Sequence, residues 1–229
     1  MIHTLALSAT TPYRLPVQWN AAHLVESVTA ALRRQADEDN LEQAVYSIDT
    51  RDELELHPLI QDALRDAGYG VHPEQRYPAD RTRRRKSEGK RCDIVLTPDD
   101  RALMEPDVET TLFAPPDAVV LEAAFWLEIK TVSQFTTEGP FARYAAEMLS
   151  PVSQDIKKMA SDPLIYHAGL MLILFTADQR TAEHDLAAWE SRTLKRGYPV
   201  APPITRGFDT TDRLGNARCT VALFPVRRL

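Results

Sequence analysis

The sequence predicts an α/β fold, a mixed central β-sheet flanked by helices. Three observations carry that expectation. Residues 123–131 read AAFWLEIKT, an aromatic and branched run without Gly or Pro, which marks a strand. Residues 165–177 contain GLMLILF, a continuous apolar run that suits a strand buried on both faces. Segments 21–36, 52–67 and 181–196 carry apolar residues at helical spacing.

Taken in order, residues 1–18 contain the breakers Pro12 and Pro16 and are expected to dock as an arm or a strand. Asn20 is a candidate N-cap for a helix over 21–36, with Leu24, Val28 and Leu32 on one stripe beside Ala21 and Ala31. Residues 37–40 read as a polar turn. A second helix spans 52–67 and ends at Gly68. Its stripe, Leu56, Ile60, Leu64 and Ala67, reaches Glu53 one turn back. Asp52 and Glu55 have capping-box spacing, which occupies Glu55 and leaves Glu53 as the inward acid. Pro58 should kink this helix or delay its start, and a later start makes Glu55 equally inward.

A first strand covers 69–77, with Pro73 marking an edge or a bulge and Glu74 beside it. A polar loop over 78–91 leads into a second strand at 93–97. Residues 98–118 are acidic and Pro-rich, without a regular period, and read as an insertion. The strand at 123–131 comes third. Gly139-Pro140 signals a turn, a short helix is expected at 142–149, and Ser150-Pro151 opens another helix through Ala160. After the strand in 165–177 come a helix over 181–196 ending at Gly197, an irregular stretch at 200–211 and a last strand at 219–226. The whole reads as a single domain over 1–229, with a core at about 52–178, an N-terminal helical extension over 1–51 and a C-terminal extension over 179–229.

Bulk properties narrow the function. No apolar run approaches the ~20 residues of a membrane helix. The first residues lack a basic n-region, so neither a membrane span nor a signal peptide is expected. Cys92 and Cys219 are the two cysteines, far apart, which favours reduced thiols and a cytoplasmic setting. A net charge of −6 excludes a protein that coats nucleic acid with its whole surface. A local patch exists: residues 81–91 carry seven basic side chains and one acid. His57, His72, His167 and His184 are scattered without zinc spacing. No phosphate-binding P-loop, dinucleotide fingerprint or nucleophile elbow occurs.

Alternation across the strand at 123–131 puts Phe125, Leu127 and Ile129 on one face and Trp126, Glu128 and Lys130 on the other. An acid and a lysine in so apolar a setting must pair, bind a metal or do chemistry. Asp93 then Glu128-x-Lys130 on a following apolar strand resembles the PD-(D/E)XK, or restriction-endonuclease-like, nuclease superfamily. The order helix, three strands, helix, strand over 52–178 is similar to that superfamily's αβββαβ core.

The resemblance implies metal-dependent hydrolysis of phosphodiesters, with Mg²⁺ as the cofactor, Mn²⁺ as a substitute, and DNA as the expected substrate. Asp93, Glu128 and the backbone carbonyl of Ile129 would be ligands, with Glu53 completing the site or holding a second ion. Glu55 and Glu74 stay open as the additional acid. Lys130 would position the water or neutralise phosphate charge. Arg83, Arg84, Arg85, Lys86, Lys90 and Arg91 are expected to grip phosphates rather than read bases. Gln154 and Lys157 are candidate accessory residues on the following helix. Restriction, antiviral defence or mobile-element processing is the implied setting, with specificity supplied by a partner subunit or a homodimer. The competing readings are a catalytically silent nuclease fold that binds nucleic acid or a partner protein, and a ribonuclease.

Overall fold

A computed structural model describes residues 18–81, 91–104, 115–149 and 152–229. Arg83, Arg84, Arg85, Lys86 and Lys90, most of the acidic insertion, the Ser150-Pro151 helix start and the N-terminal arm lie outside the described residues.

Helix α1 (Ala21–Leu41) opens at Asn20, whose side chain accepts a hydrogen bond from the His23 N–H at 3.1 Å. It buries Leu24, Val28, Ala31 and Leu32, the expected stripe, together with Val25 and Ala36. It does not stop at Ala36: the expected polar turn at 37–40 is helical. Asp39 explains the correction. It is buried, and its carboxylate accepts from Gln35 at 3.0 Å, Ser47 at 2.9 Å and Arg51 at 3.1 Å, so its charge is satisfied inside the fold.

Helix α2 (Glu53–Asp66) begins at Asp52 with a complete capping box: the Asp52 carboxylate accepts from the Glu55 N–H, and the Glu55 carboxylate accepts from the Asp52 N–H, both at 2.8 Å. Pro58 lies inside this helix and neither ends it nor delays its start. Gly68 follows with φ 87°, the left-handed conformation in which a side chain is strained.

Strand β1 (Gly70–Arg76), the short helix α3 (Pro78–Arg81) and strands β2 (Arg91–Thr97) and β3 (Phe125–Ser133) follow. A small hairpin of β4 (Phe135–Thr136) and β5 (Gly139–Pro140) leads to helices α4 (Tyr144–Leu149) and α5 (Val152–Ser161). Strand β6 (His167–Thr176), helix α6 (Gln179–Lys195) and strands β7 (Ile204–Asp209) and β8 (Arg218–Val226) complete the described chain.

The main sheet has the order β1-β2-β3-β6-β8-β7. β3 and β6 run parallel and every other neighbouring pair is antiparallel. The fold is thus mixed α/β, with a mixed central sheet between two helical layers. β6 shows why its sequence does not alternate. Leu170, Leu172 and Leu174 enter a core shared with α5 and α6, while Met171, Ile173 and Phe175 enter a second core shared with α1 and α2. β3 divides the same way, with Trp126 in the first core and Phe125, Leu127 and Ile129 in the second.

Residues 204–209, expected to be irregular, are the edge strand β7. Only Phe208 is buried there, so the period-2 signal that marks a strand is missing. Helix α1 packs on β7 and β8 as well as on α2. Glu26 pairs with Arg206 at 2.8 Å, and the Arg33 guanidinium lies 5.3 Å from the centre of the Phe208 ring.

Candidate active site

The β2–β3 ladder pairs Leu96 with Phe125, Val95 with Trp126 and Ile94 with Leu127, and goes no further. Both strands continue, so they part where Asp93 and Glu128 come next. Asp93 fills part of the gap: its Oδ2 accepts from the Ile129 N–H at 2.7 Å, replacing a strand-to-strand bond. Cys92, just before it, is fully buried and its thiol donates to the Leu127 carbonyl at 3.3 Å. Glu128 is 7 % exposed and accepts a hydrogen bond from the Tyr77 hydroxyl.

The two carboxyl groups act on each other, and the net effect of their surroundings is upward for both. Burial is the largest influence on both and raises both. The negative charge of Asp93 raises Glu128 further, and Asp155 adds to it. Glu128 is thus the carboxyl of the pair that gives up its proton less readily than an exposed glutamate. Tyr77 is buried, stacks on Trp126 with ring centres 5.8 Å apart, and lies under the Lys158 ammonium at 4.3 Å. Lys158 in turn pairs with Asp80 at 2.8 Å.

Lys130, two residues beyond Glu128, pairs with Glu53 at 3.3 Å. Glu53 Oε2 also accepts from the Thr131 N–H at 3.1 Å, which ties the start of α2 to β3. Glu55 is committed to the helix cap, so Glu53 is the acid that faces the strand. Glu74 joins the site from another direction. It sits on edge strand β1 with φ 55°, and ligand atoms of His57, Glu74 and Asp93 all lie within 4.8 Å of one another. Asp93 therefore belongs to two groupings, one with Glu128 and one with His57 and Glu74.

Beside these lies a cavity of about 400 Å³ whose walls include Glu53, Lys130, Asp49, Asp52, Arg51 and Glu147. It takes in the Glu53–Lys130 pair but is not lined by Asp93 or Glu128. Ile129 is buried. Arg91 opens β2 and donates to the Glu74 carbonyl at 3.3 Å. On α5, Gln154 and Lys157 are exposed, and the Lys157 ammonium lies 5.4 Å from the centre of the Tyr198 ring. The residue of α5 whose charge reaches Glu128 is Asp155.

Asp93, Glu128, Lys130 and Glu53 stand out in the sequence, whereas Tyr77, Asp155 and His57 do not. An available signal for Tyr77 was a lone tyrosine closing a strand beside a basic loop, which is too common to select it. Searches against protein families, curated proteins and solved structures return no match.

Proposed function

We propose that this chain is a metal-dependent nuclease of the PD-(D/E)XK type, with DNA as its substrate. One observation carries the reading. The strands part at Asp93 and Glu128, bringing a buried and a half-buried carboxyl group side by side, with Lys130 two residues on and anchored by Glu53. The three antiparallel strands followed by a parallel fourth give the same order of elements that the resemblance implies.

A divalent cation suits this donor set. Two adjacent carboxyl groups whose ionisation is disfavoured by burial and by each other gain from an ion to which both can turn oxygen. Asp93 and Glu128 would hold Mg²⁺ or Mn²⁺, with the Ile129 carbonyl and Glu53 as the further ligands named by resemblance. When bound, the ion lowers the pKa of water and offsets charge on the phosphate. The chain's own residues do the rest. Tyr77 fixes the Glu128 carboxyl, and the Ile129 N–H fixes that of Asp93. Glu53 holds the Lys130 ammonium, whose positive charge stabilises the phosphate as it accumulates negative charge. The basic run at 81–91 lies just before Asp93 in the sequence and would supply phosphate contacts.

The test is cleavage of plasmid DNA and of RNA in Mg²⁺ and in Mn²⁺. Wild type should cut DNA, and Asp93→Ala and Lys130→Ala should each lose at least about 100-fold in rate. Preferential cutting of RNA would change the substrate but not the site. A second reading has its own support: Glu128 is buried under Tyr77, and the nearby cavity is not lined by either of the paired acids. This arrangement suits a silent subunit that binds nucleic acid or a partner protein. Wild type and Lys130→Ala equally inert in both metals would favour it.

A further inference from the structure

His57 comes from α2, Glu74 from β1 and Asp93 from β2, and one ligand atom of each lies within 4.8 Å of the other two. His57 is 7 % exposed, and its Nε2 has no hydrogen-bond partner among the described residues. A buried imidazole nitrogen left unpaired is destabilising unless something satisfies it. Nothing on α2 explains it, because the helix is capped by Asp52 and Glu55 and its apolar stripe is supplied by Leu56, Ile60 and Leu64. Glu74 is exposed, so its side chain can adjust toward an ion held by the other two.

One imidazole and two carboxylates do not suit Mg²⁺, which takes oxygen ligands and keeps its waters. They suit the first-row transition ions, for which imidazole is a good donor. We propose that His57, Glu74 and Asp93 form a site for a divalent transition-metal ion, separate from the Asp93–Glu128 pair and joined to it through Asp93. The site is independent of the nuclease reading, since it claims binding and not cleavage.

The experiment titrates the metal-free full chain with Mn²⁺ and follows bound ion by pulsed electron paramagnetic resonance. Wild-type protein should bind Mn²⁺ and show nitrogen coupling from one directly bound imidazole. His57→Gln should abolish that coupling and weaken Mn²⁺ binding at least about tenfold, the cost seen even for partners one shell beyond the ligands. Mg²⁺ affinity should be much less affected. Because His57 is buried, a thermal melt checks that this variant folds. Glu74→Gln, at an exposed position, gives an independent arm and should weaken Mn²⁺ binding too. Glu128→Gln should leave the nitrogen coupling in place. Bound Mn²⁺ without nitrogen coupling in wild type overturns the proposal, as do unchanged binding in both His57→Gln and Glu74→Gln or loss of coupling in Glu128→Gln. Plasmid cleavage is scored separately, so failure here and failure of the nuclease reading are distinguishable.

Discussion

Glu128 gives up its proton less readily than an exposed glutamate. Burial is the first cause and the charge of Asp93 the second, and both raise its pKa well above the ordinary value. The folded chain thus binds this proton more tightly than the unfolded chain. Below about pH 4.3 both states are protonated and the effect vanishes. As pH rises past that value the unfolded chain ionises while the folded one does not, so stability falls until the folded pKa is passed. Glu128→Gln removes the penalty. In chelator, the variant should be more stable than wild type by on the order of 1–2 kcal/mol at about pH 8, and by little at about pH 4. A melting difference of the same size at both pH values would contradict this. Glu53, Lys130 and Glu128 are readable in the sequence because strand alternation and helical spacing are local rules. The convergence of His57, Glu74 and Asp93 is not. It depends on where β2 leaves β3 and on the left-handed backbone at Glu74, and no neighbouring residue announces either.

At the scale of the element, α2 positions one acid through its cap. Asp52→Ala should cost about 1 kcal/mol through loss of the capping box. Denaturant melts should show that cost, and the Glu53–Lys130 pair should loosen with it. Pro58 has the opposite sign. Its ring removes one backbone hydrogen bond inside the helix, while it also restricts the unfolded chain. Pro58→Ala should raise stability by about 1–2 kcal/mol, and a loss of stability would mean that the restriction proline places on the unfolded chain outweighs the lost hydrogen bond. Most helices and buried strands are legible because each displays a full period of its pattern. β7 is not, since an edge strand with one buried side chain has no pattern to show. The stop of α1 is misread for a related reason: Asp37, Glu38, Asp39 and Asn40 look like a turn until Asp39 is seen to be held by Gln35 on the same helix and by Ser47 and Arg51 just beyond it.

For the molecule as a whole, the sheet separates two apolar cores, and each encloses one thiol: Cys92 in one and Cys219 in the other. Both are fully buried, and burial pushes both thiols above their ordinary pKa. Neither should react with an alkylating reagent in the native state. Both should be labelled together, at the rate of global unfolding, since reaching either requires opening a core. Labelling of one thiol well before the other would show that the two layers open separately. A different consequence follows from the packing of α1 on β7 and β8. During synthesis the helix emerges early, while the strands that cover its apolar stripe are made after every other strand of the sheet. Until those strands emerge, the part of the stripe not covered by α2 stays open to chaperones or to the same stripe on a neighbouring nascent chain, and such long-range closure slows folding. A chain truncated after Pro203 should therefore be recovered bound to chaperones or as aggregate rather than as a smaller folded protein.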